Sequence, residues 1–160
     1  MTDLIIIGAG HAAIEAALAG ARLGFSTLLI TLDKTKIGQM SCNPAVGGVG
    51  KGQVVREIDA LGGEMARATD RAGLQFKMLN RGKGPAVWSP RVQCDRTLYR
   101  DVMTTTVLGQ PNLTVLEDEV VAVLVEGGRV TGVRTARVGD VRARAVVIGF
   151  TLTAYLSSRV

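Results

Sequence analysis

Three groups of residues have types and spacings that could do chemistry: Gly8-Ala9-Gly10-His11-Ala12-Ala13, Asp33 and Cys42. The first is a G-x-G-x-x-G/A turn, placed where an apolar run ends and a pattern of small helical residues begins. Gly8 allows the tight turn, Gly10 leaves room for backbone to approach phosphate, and Ala13 keeps the helix close to the strand. A helix starting there offers unpaired N–H groups and its positive dipole end, so a dinucleotide pyrophosphate could bind without a cationic side chain. Asp33 follows Ala13 by twenty residues, about where an acid would meet a ribose hydroxyl, although beside Lys34 and Lys36 it also suits a solvated loop. Cys42 and Cys94 lack C-x-x-C spacing, which argues against a disulfide framework and against zinc and fits a reducing compartment. Taken alone, Cys42 is a small apolar residue in a tight loop. His11 is the only histidine, so a His-based triad or a multi-His metal site is excluded within this chain.

Positioning these groups takes one strand–turn–helix–strand unit. Residues 3–7, with three consecutive isoleucines, suit a parallel strand buried on both faces. Ala12, Ala13, Ala16, Ala17, Leu18, Ala21 and Leu23 mark the helix, Gly24 closes it, and residues 26–31 form the second strand. A long loop over 34–50 follows; its glycine, apolar and small polar residues are not a disorder composition, so it is expected to fold over the cofactor. It is not a P-loop, because Walker A would need Gly at Ala45 and Ser or Thr at Gly52. Helices are expected over 53–61 and 64–71, and a strand over 74–79. A basic loop over 80–90 then holds Trp88 between Pro85 and Pro90, and a helix over 91–108 carries Cys94. Short β-rich runs at 113–116, 120–125, 130–135 and 142–148 imply a β-meander, whose Val146-Val147-Ile148 could return to the parallel sheet. The expected class is α/β: a Rossmann-like, three-layer domain with a parallel sheet and an inserted β-meander.

A length of 160 residues with 47% hydrophobic and 21% charged content supports one domain with a real core. No apolar run approaches the length of a membrane span and no secretory signal is visible. Aromatics are only 4%, so stacking platforms for single-stranded nucleic acid are scarce. The net charge of +5 is unevenly distributed. Residues 77–100 carry Lys77, Arg81, Lys83, Arg91, Arg96 and Arg100 against Asp95 alone, residues 101–128 carry five acids and no cation, and residues 129–160 carry six arginines against Asp140. Two basic segments split by an acidic one are compatible with phosphate-rich partners, and equally with strand-to-strand charge pairing on a solvated surface.

The run Gly38-Gln39-Met40-Ser41-Cys42-Asn43-Pro44-Ala45-Val46-Gly47-Gly48-Val49-Gly50-Lys51-Gly52, with Glu57-Ile58-Asp59-Ala60-Leu61-Gly62-Gly63 and Lys83-Gly84-Pro85-Ala86-Val87, resembles the glucose-inhibited division protein A family over about residues 3–148. The resemblance implies a cytoplasmic FAD enzyme that, with a GTPase partner, builds the 5-carboxymethylaminomethyl-type modification on the wobble uridine of certain tRNAs. It implies passage of a methylene unit from a reduced folate through the flavin, NADH as reductant, and a possible homodimer. Carried over by position, Gly8, Ala9, Gly10, His11, Ala12 and Ala13 contact the FAD pyrophosphate, Val120 contacts the adenosine part, and Cys42 is the loop nucleophile or acid–base group. A thiolate added to C6 of uracil makes C5 electron-rich enough to attack an electrophilic methylene carbon. Lys51 could face flavin or folate carboxylates or simply be exposed, and Trp88 with its neighbouring arginines could meet tRNA or folate or pack as plain surface.

Two departures stand against the family pattern: Ala13 at the third turn position, which the fingerprint tolerates, and Gly149-Phe150-Thr151-Leu152-Thr153-Ala154-Tyr155-Leu156 in place of a Thr-Gly-Thr-Phe-Leu type turn. Residues 1–160 are accordingly expected to be a FAD-binding domain incomplete relative to the family, without its second cysteine or helical C-terminal part. The alternatives are a non-catalytic dinucleotide-binding module, a folate- and FAD-dependent tRNA uridine methyltransferase, or a generic nicotinamide oxidoreductase.

Overall fold

The computed structural model describes residues 2–149, which form two compact units, one of residues 2–37 with 107–149 and one of residues 38–106. The departure expected at Phe150 to Leu156 lies outside the described residues.

The first unit is built on β1 (Thr2–Ile7), α1 (His11–Arg22) and β2 (Thr27–Thr31), followed by β6 (Leu113–Glu117), β7 (Val120–Glu126), β8 (Arg129–Thr135) and β9 (Gly139–Ile148). Its mixed sheet has the order β6-β2-β1-β9-β8-β7. β1 pairs in parallel with β2 (Ile5 opposite Leu28) and with β9 (Ile5 opposite Val146), and β2 pairs in parallel with β6. β6 is therefore a strand of the parallel sheet and not the first strand of the meander, as the run of short strands had implied. β9 belongs to both parts: its first half pairs antiparallel with β8, and its second half, including Val146-Val147-Ile148, lies parallel to β1.

Alternation along the central strands divides the sheet between two coverings. Ile5 and Ile30 are buried in a cluster with Val133 and Ala143, and Val120, Val141 and Leu116 pack against it, so the meander covers one face. On the other face, α1 buries Ala13, Ile14, Ala17, Leu18 and Ala21. A Cβ on Gly20 would come within 2.7 Å of the Leu4 side chain, so this glycine lets α1 lie close to β1. Helix, sheet and meander make the three layers expected of the α/β class.

The second unit contains a short three-stranded sheet, β3 (Ala45–Gly47), β5 (Ser89–Cys94) and β4 (Gly73–Leu79) in that order, all antiparallel, with α2 (Lys51–Ala60) and α3 (Met65–Ala72). The expected loop over 34–50 thus contains a strand, as well as a 3-10 turn at Lys34–Lys36 in the first unit. The expected helix over 91–108 is corrected at its start: residues 91–94 belong to β5, and α4 runs over Arg96–Gly109. Asp95 sets that boundary, its carboxylate accepting from the Leu98 amide at 2.9 Å and its carbonyl from the Tyr99 amide at 3.0 Å. Cys94 therefore sits at the end of a strand and not on the helix.

Candidate functional site

β1 lies where the strand order reverses, between β2 on one side and β9 on the other, and its carboxyl end is the switch point at which open α/β sheets bind ligands. The turn into α1 occupies that point. Gly8 has φ +101°, and a Cβ there would lie 2.5 Å from the Gly149 carbonyl oxygen, so both backbone and packing require glycine. Gly149 in turn packs against the Cβ of Ala13, and its amide donates to the Ile7 carbonyl at 2.8 Å. The close approach of helix to sheet, which the fingerprint usually assigns to its third glycine, is supplied here by Gly149 at the end of β9, leaving room for Ala13. Sequence reasoning missed that residue; its signal was a glycine ending the Val-Val-Ile strand.

Gly10 is different. It is the N-cap of α1 with φ −75° and ψ 173°, an extended conformation open to any residue, and nothing lies within 4 Å of where its Cβ would be. No side chain among the described residues caps the helix, and the first intrahelical bond is Ile14 amide to Gly10 carbonyl at 2.9 Å. The amides of the first turn thus begin an α-helix of 12 residues, with no acidic side chain among them. Among the described residues, neither the backbone nor the packing demands glycine at position 10. The donor set and the open space at Gly10 fit a diphosphate.

Asp33 follows β2 at the same carboxyl edge. Its Oδ1 accepts from the Thr35 amide at 2.8 Å and the Thr35 hydroxyl at 2.5 Å, and its Oδ2 meets Lys36 Nζ at 3.4 Å. The Thr35 bonds, foremost the hydroxyl, hold its carboxyl below the usual range. Val120 opens β7 with its side chain half-buried against the core cluster.

A residue that sequence reasoning did not single out fixes this edge. Asp118, between β6 and β7, is 3% exposed, and its carboxylate accepts from the amides of Glu119 (2.8 Å), Arg137 (3.2 Å) and Val138 (3.0 Å). Its own amide donates to the Thr31 carbonyl at 2.9 Å, tying β2 to the β8–β9 turn. Flanked by Glu117 and Glu119, it looked like one more solvated acid.

In the second unit Cys42 is exposed, on a loop whose backbone is held at Cys42 and at Pro44. Arg96, at the start of α4, donates to the Cys42 carbonyl at 3.0 Å, and the Cys94 amide donates to the Pro44 carbonyl at 2.7 Å. Among the described residues the thiol has the Ser41 hydroxyl, at 4.0 Å, as its hydrogen-bonding neighbour. Cys94, by contrast, is buried, and burial pushes its thiol up against the smaller opposing effects of the Val46 backbone and Lys51. Lys51 is exposed and reaches the Ala45 carbonyl at 3.3 Å. The glycines of residues 47–52 have a packing role: side chains at Gly47 and Gly52 would run into the Pro90 carbonyl, which also accepts from the Gly48 amide at 2.8 Å.

The model of the glucose inhibited division protein A family matches residues 3–158. The chain is 54% identical over 146 residues to the tRNA uridine 5-carboxymethylaminomethyl modification enzyme MnmG of Endomicrobium trichonymphae, covering 91% of this chain and 24% of that protein. It is 56% identical over 146 residues to the enzyme of the same name from Parabacteroides distasonis, covering 91% of this chain and 23% of that protein. Its fold superposes on the crystal structure of Aquifex aeolicus GidA with a TM-score of 0.88 at 53% identity, covering 91% of this chain and 24% of that one. The chain thus spans about a quarter of the length of the relatives it matches. With the Met-Ser-Cys-Asn-Pro loop, the phosphate turn and the fold in agreement, the chain belongs to the glucose inhibited division protein A family.

Proposed function

We propose that this chain is a FAD-binding part of an enzyme that installs the 5-carboxymethylaminomethyl-type modification on the wobble uridine of tRNA. The observation that carries the reading is Gly10: a glycine that nothing among the described residues crowds, at the start of an α1 that none of their side chains caps, at the switch point of the sheet. The names of its relatives, at 54% and 56% identity, supply the reaction. On this reading Gly8 and Ala9 shape the turn, and Gly10, His11, Ala12 and Ala13 bring their backbone to the FAD pyrophosphate. Asp33 takes a ribose hydroxyl, turning from Thr35 and Lys36 to do so, and Val120 meets the adenosine part.

Bound flavin would supply the redox and one-carbon chemistry, with NADH as reductant and a reduced folate as methylene donor. The chain's own contribution is a nucleophile. The Cys42 thiolate adds to C6 of the uracil ring, forming a carbon–sulfur bond and moving the electron pair to C5, which becomes the attacking carbon; loss of the C5 proton then expels the thiolate and restores the ring. Arg96 and the Cys94 amide hold the backbone that presents it. A GTPase partner, a homodimer and a cytoplasmic setting complete the proposed activity. No helix among the described residues is long and apolar enough to cross a membrane.

Denaturing the purified protein and recording the spectrum of the released small molecules tests the cofactor. Flavin absorbance in near-equimolar amount is expected, and a colourless protein that takes up no added FAD would contradict the reading. For the nucleophile, Cys42→Ala is expected to keep its flavin and lose all modified uridine in a tRNA digest; full activity in that variant would end the role of Cys42.

A further inference from the structure

The two basic segments of the sequence meet different fates in the structure. In the second, Arg134 pairs with Asp140 at 2.6 Å, Arg142 with Glu126 at 2.6 Å, Arg144 with Asp3 at 3.4 Å and Arg137 with Asp118 at 3.5 Å. That segment is largely neutralised by acids on neighbouring strands and turns. In the first, Arg96 is spent on the Cys42 carbonyl and Arg100 pairs with Asp101. Lys77, Arg81, Lys83 and Arg91 are exposed and have no acidic partner among the described residues.

All four lie on one hairpin, β4 and β5 with the loop between them. Lys77 and Arg91 are directly opposed across the two strands, a like-charge pairing that costs stability unless an anion lies between. The neighbouring pair on the same face is Gln75 and Gln93, which adds neutral donors. At the tip, Asn80 takes a left-handed conformation (φ 60°) and its Nδ2 donates to the Val87 carbonyl at 3.3 Å, fixing the loop. The chain's only tryptophan, Trp88, donates from Nε1 to the Arg81 carbonyl at 3.2 Å and leaves 43% of its surface exposed. A ring locked by its one polar atom, beside unpaired cations on a preformed loop, suits unstacked bases between phosphates.

We infer that the β4–β5 hairpin is an RNA-binding surface, with Lys77 and Arg91 clamping backbone phosphate and Trp88 stacking on an unpaired base. The inference rests on the proposed reading that the substrate is RNA, and adds the surface that grips it. It makes a paired prediction of opposite signs. Lys77→Glu replaces a like-charge pair with an ion pair, so its melting temperature should rise by about 1–3 °C while its affinity for RNA falls.

The test is binding of the full chain to a labelled synthetic RNA stem-loop between about 50 and 200 mM salt. Lys77→Gln with Arg91→Gln should weaken binding roughly tenfold per cation at about 0.1 M salt and lower the salt slope by about one per cation, whereas Arg129→Gln, an exposed cation where β8 begins, should change neither. Trp88→Ala should weaken binding with the salt slope unchanged. If wild type binds and the double variant binds equally well, the hairpin assignment falls while the RNA reading stands. Loss as large in Arg129→Gln would mean diffuse charge attraction and also overturns it. Failure of the wild type to bind RNA, including the case in which it binds anionic vesicles instead, overturns both.

Discussion

At the scale of single residues, the phosphate turn separates into a part the fold needs and a part it does not. Gly8→Ala would place a Cβ at φ +101° and 2.5 Å from the Gly149 carbonyl oxygen, and should cost about 3 kcal/mol or more in denaturant unfolding. The sequence motif names both glycines in the same breath; only the structure shows that the fold needs the first and that, among the described residues, nothing crowds the second. Asp118 was illegible for a related reason, because an acid between two acids carries no mark of burial. Its burial alone would raise its pKa, but the Val138 amide, with the Thr135 hydroxyl and the amides of Glu119 and Arg137, outweighs that and holds it at about 2. Since this lies below the 3.8 of an unfolded aspartate, the stabilisation is complete above about pH 4 and is lost as pH falls through 2. Asp118→Asn should lower the melting temperature at pH 7 by about 5 °C or more and flatten the fall in stability between about pH 4 and 2. An unchanged acid limb in thermal melts would show that the carboxylate does not hold this edge.

At the scale of elements, the strand–turn–helix–strand unit was legible because a run of three isoleucines, a glycine turn and a small-residue helix all follow local rules. The boundary between β5 and α4 was not. Val92 and Leu98 suggested a continuous apolar side, whereas Asp95, a good helix N-cap, stands between the strand and the helix. Asp95→Ala should cost about 1 kcal/mol in urea unfolding, with the slope unchanged. No measurable loss would mean that the backbone bond from its amide to the Ala72 carbonyl, at 2.8 Å, suffices to end the strand. The meander was recognised from its glycine turns, but its first member was misassigned, because parallel pairing of β6 with β2 is a tertiary choice that neither strand's composition records. The glycines of 47–52 suggested a ligand loop, while their close partner, Pro90, lies far along the chain.

At the scale of the whole molecule, charge was the least readable feature. A run of cations in sequence looks the same whether or not a neighbouring strand supplies acids, and here Arg134, Arg137, Arg142 and Arg144 find acids while Lys77, Arg81, Lys83 and Arg91 find none among the described residues. The resemblance reached further than the physics on chemistry, since an exposed thiol on a pinned loop acquires a reaction only through its relatives. Cofactor binding is where physics and resemblance meet, and Gly10 tests it most directly. Calorimetric titration of FAD into apoprotein should give a saturable one-site isotherm for wild type. Gly10→Val should melt within about 4 °C of wild type, the cost of a poorer N-cap, since nothing among the described residues lies within 4 Å of its Cβ, and should bind no FAD. A Gly10→Val protein that binds FAD as wild type does would contradict the account.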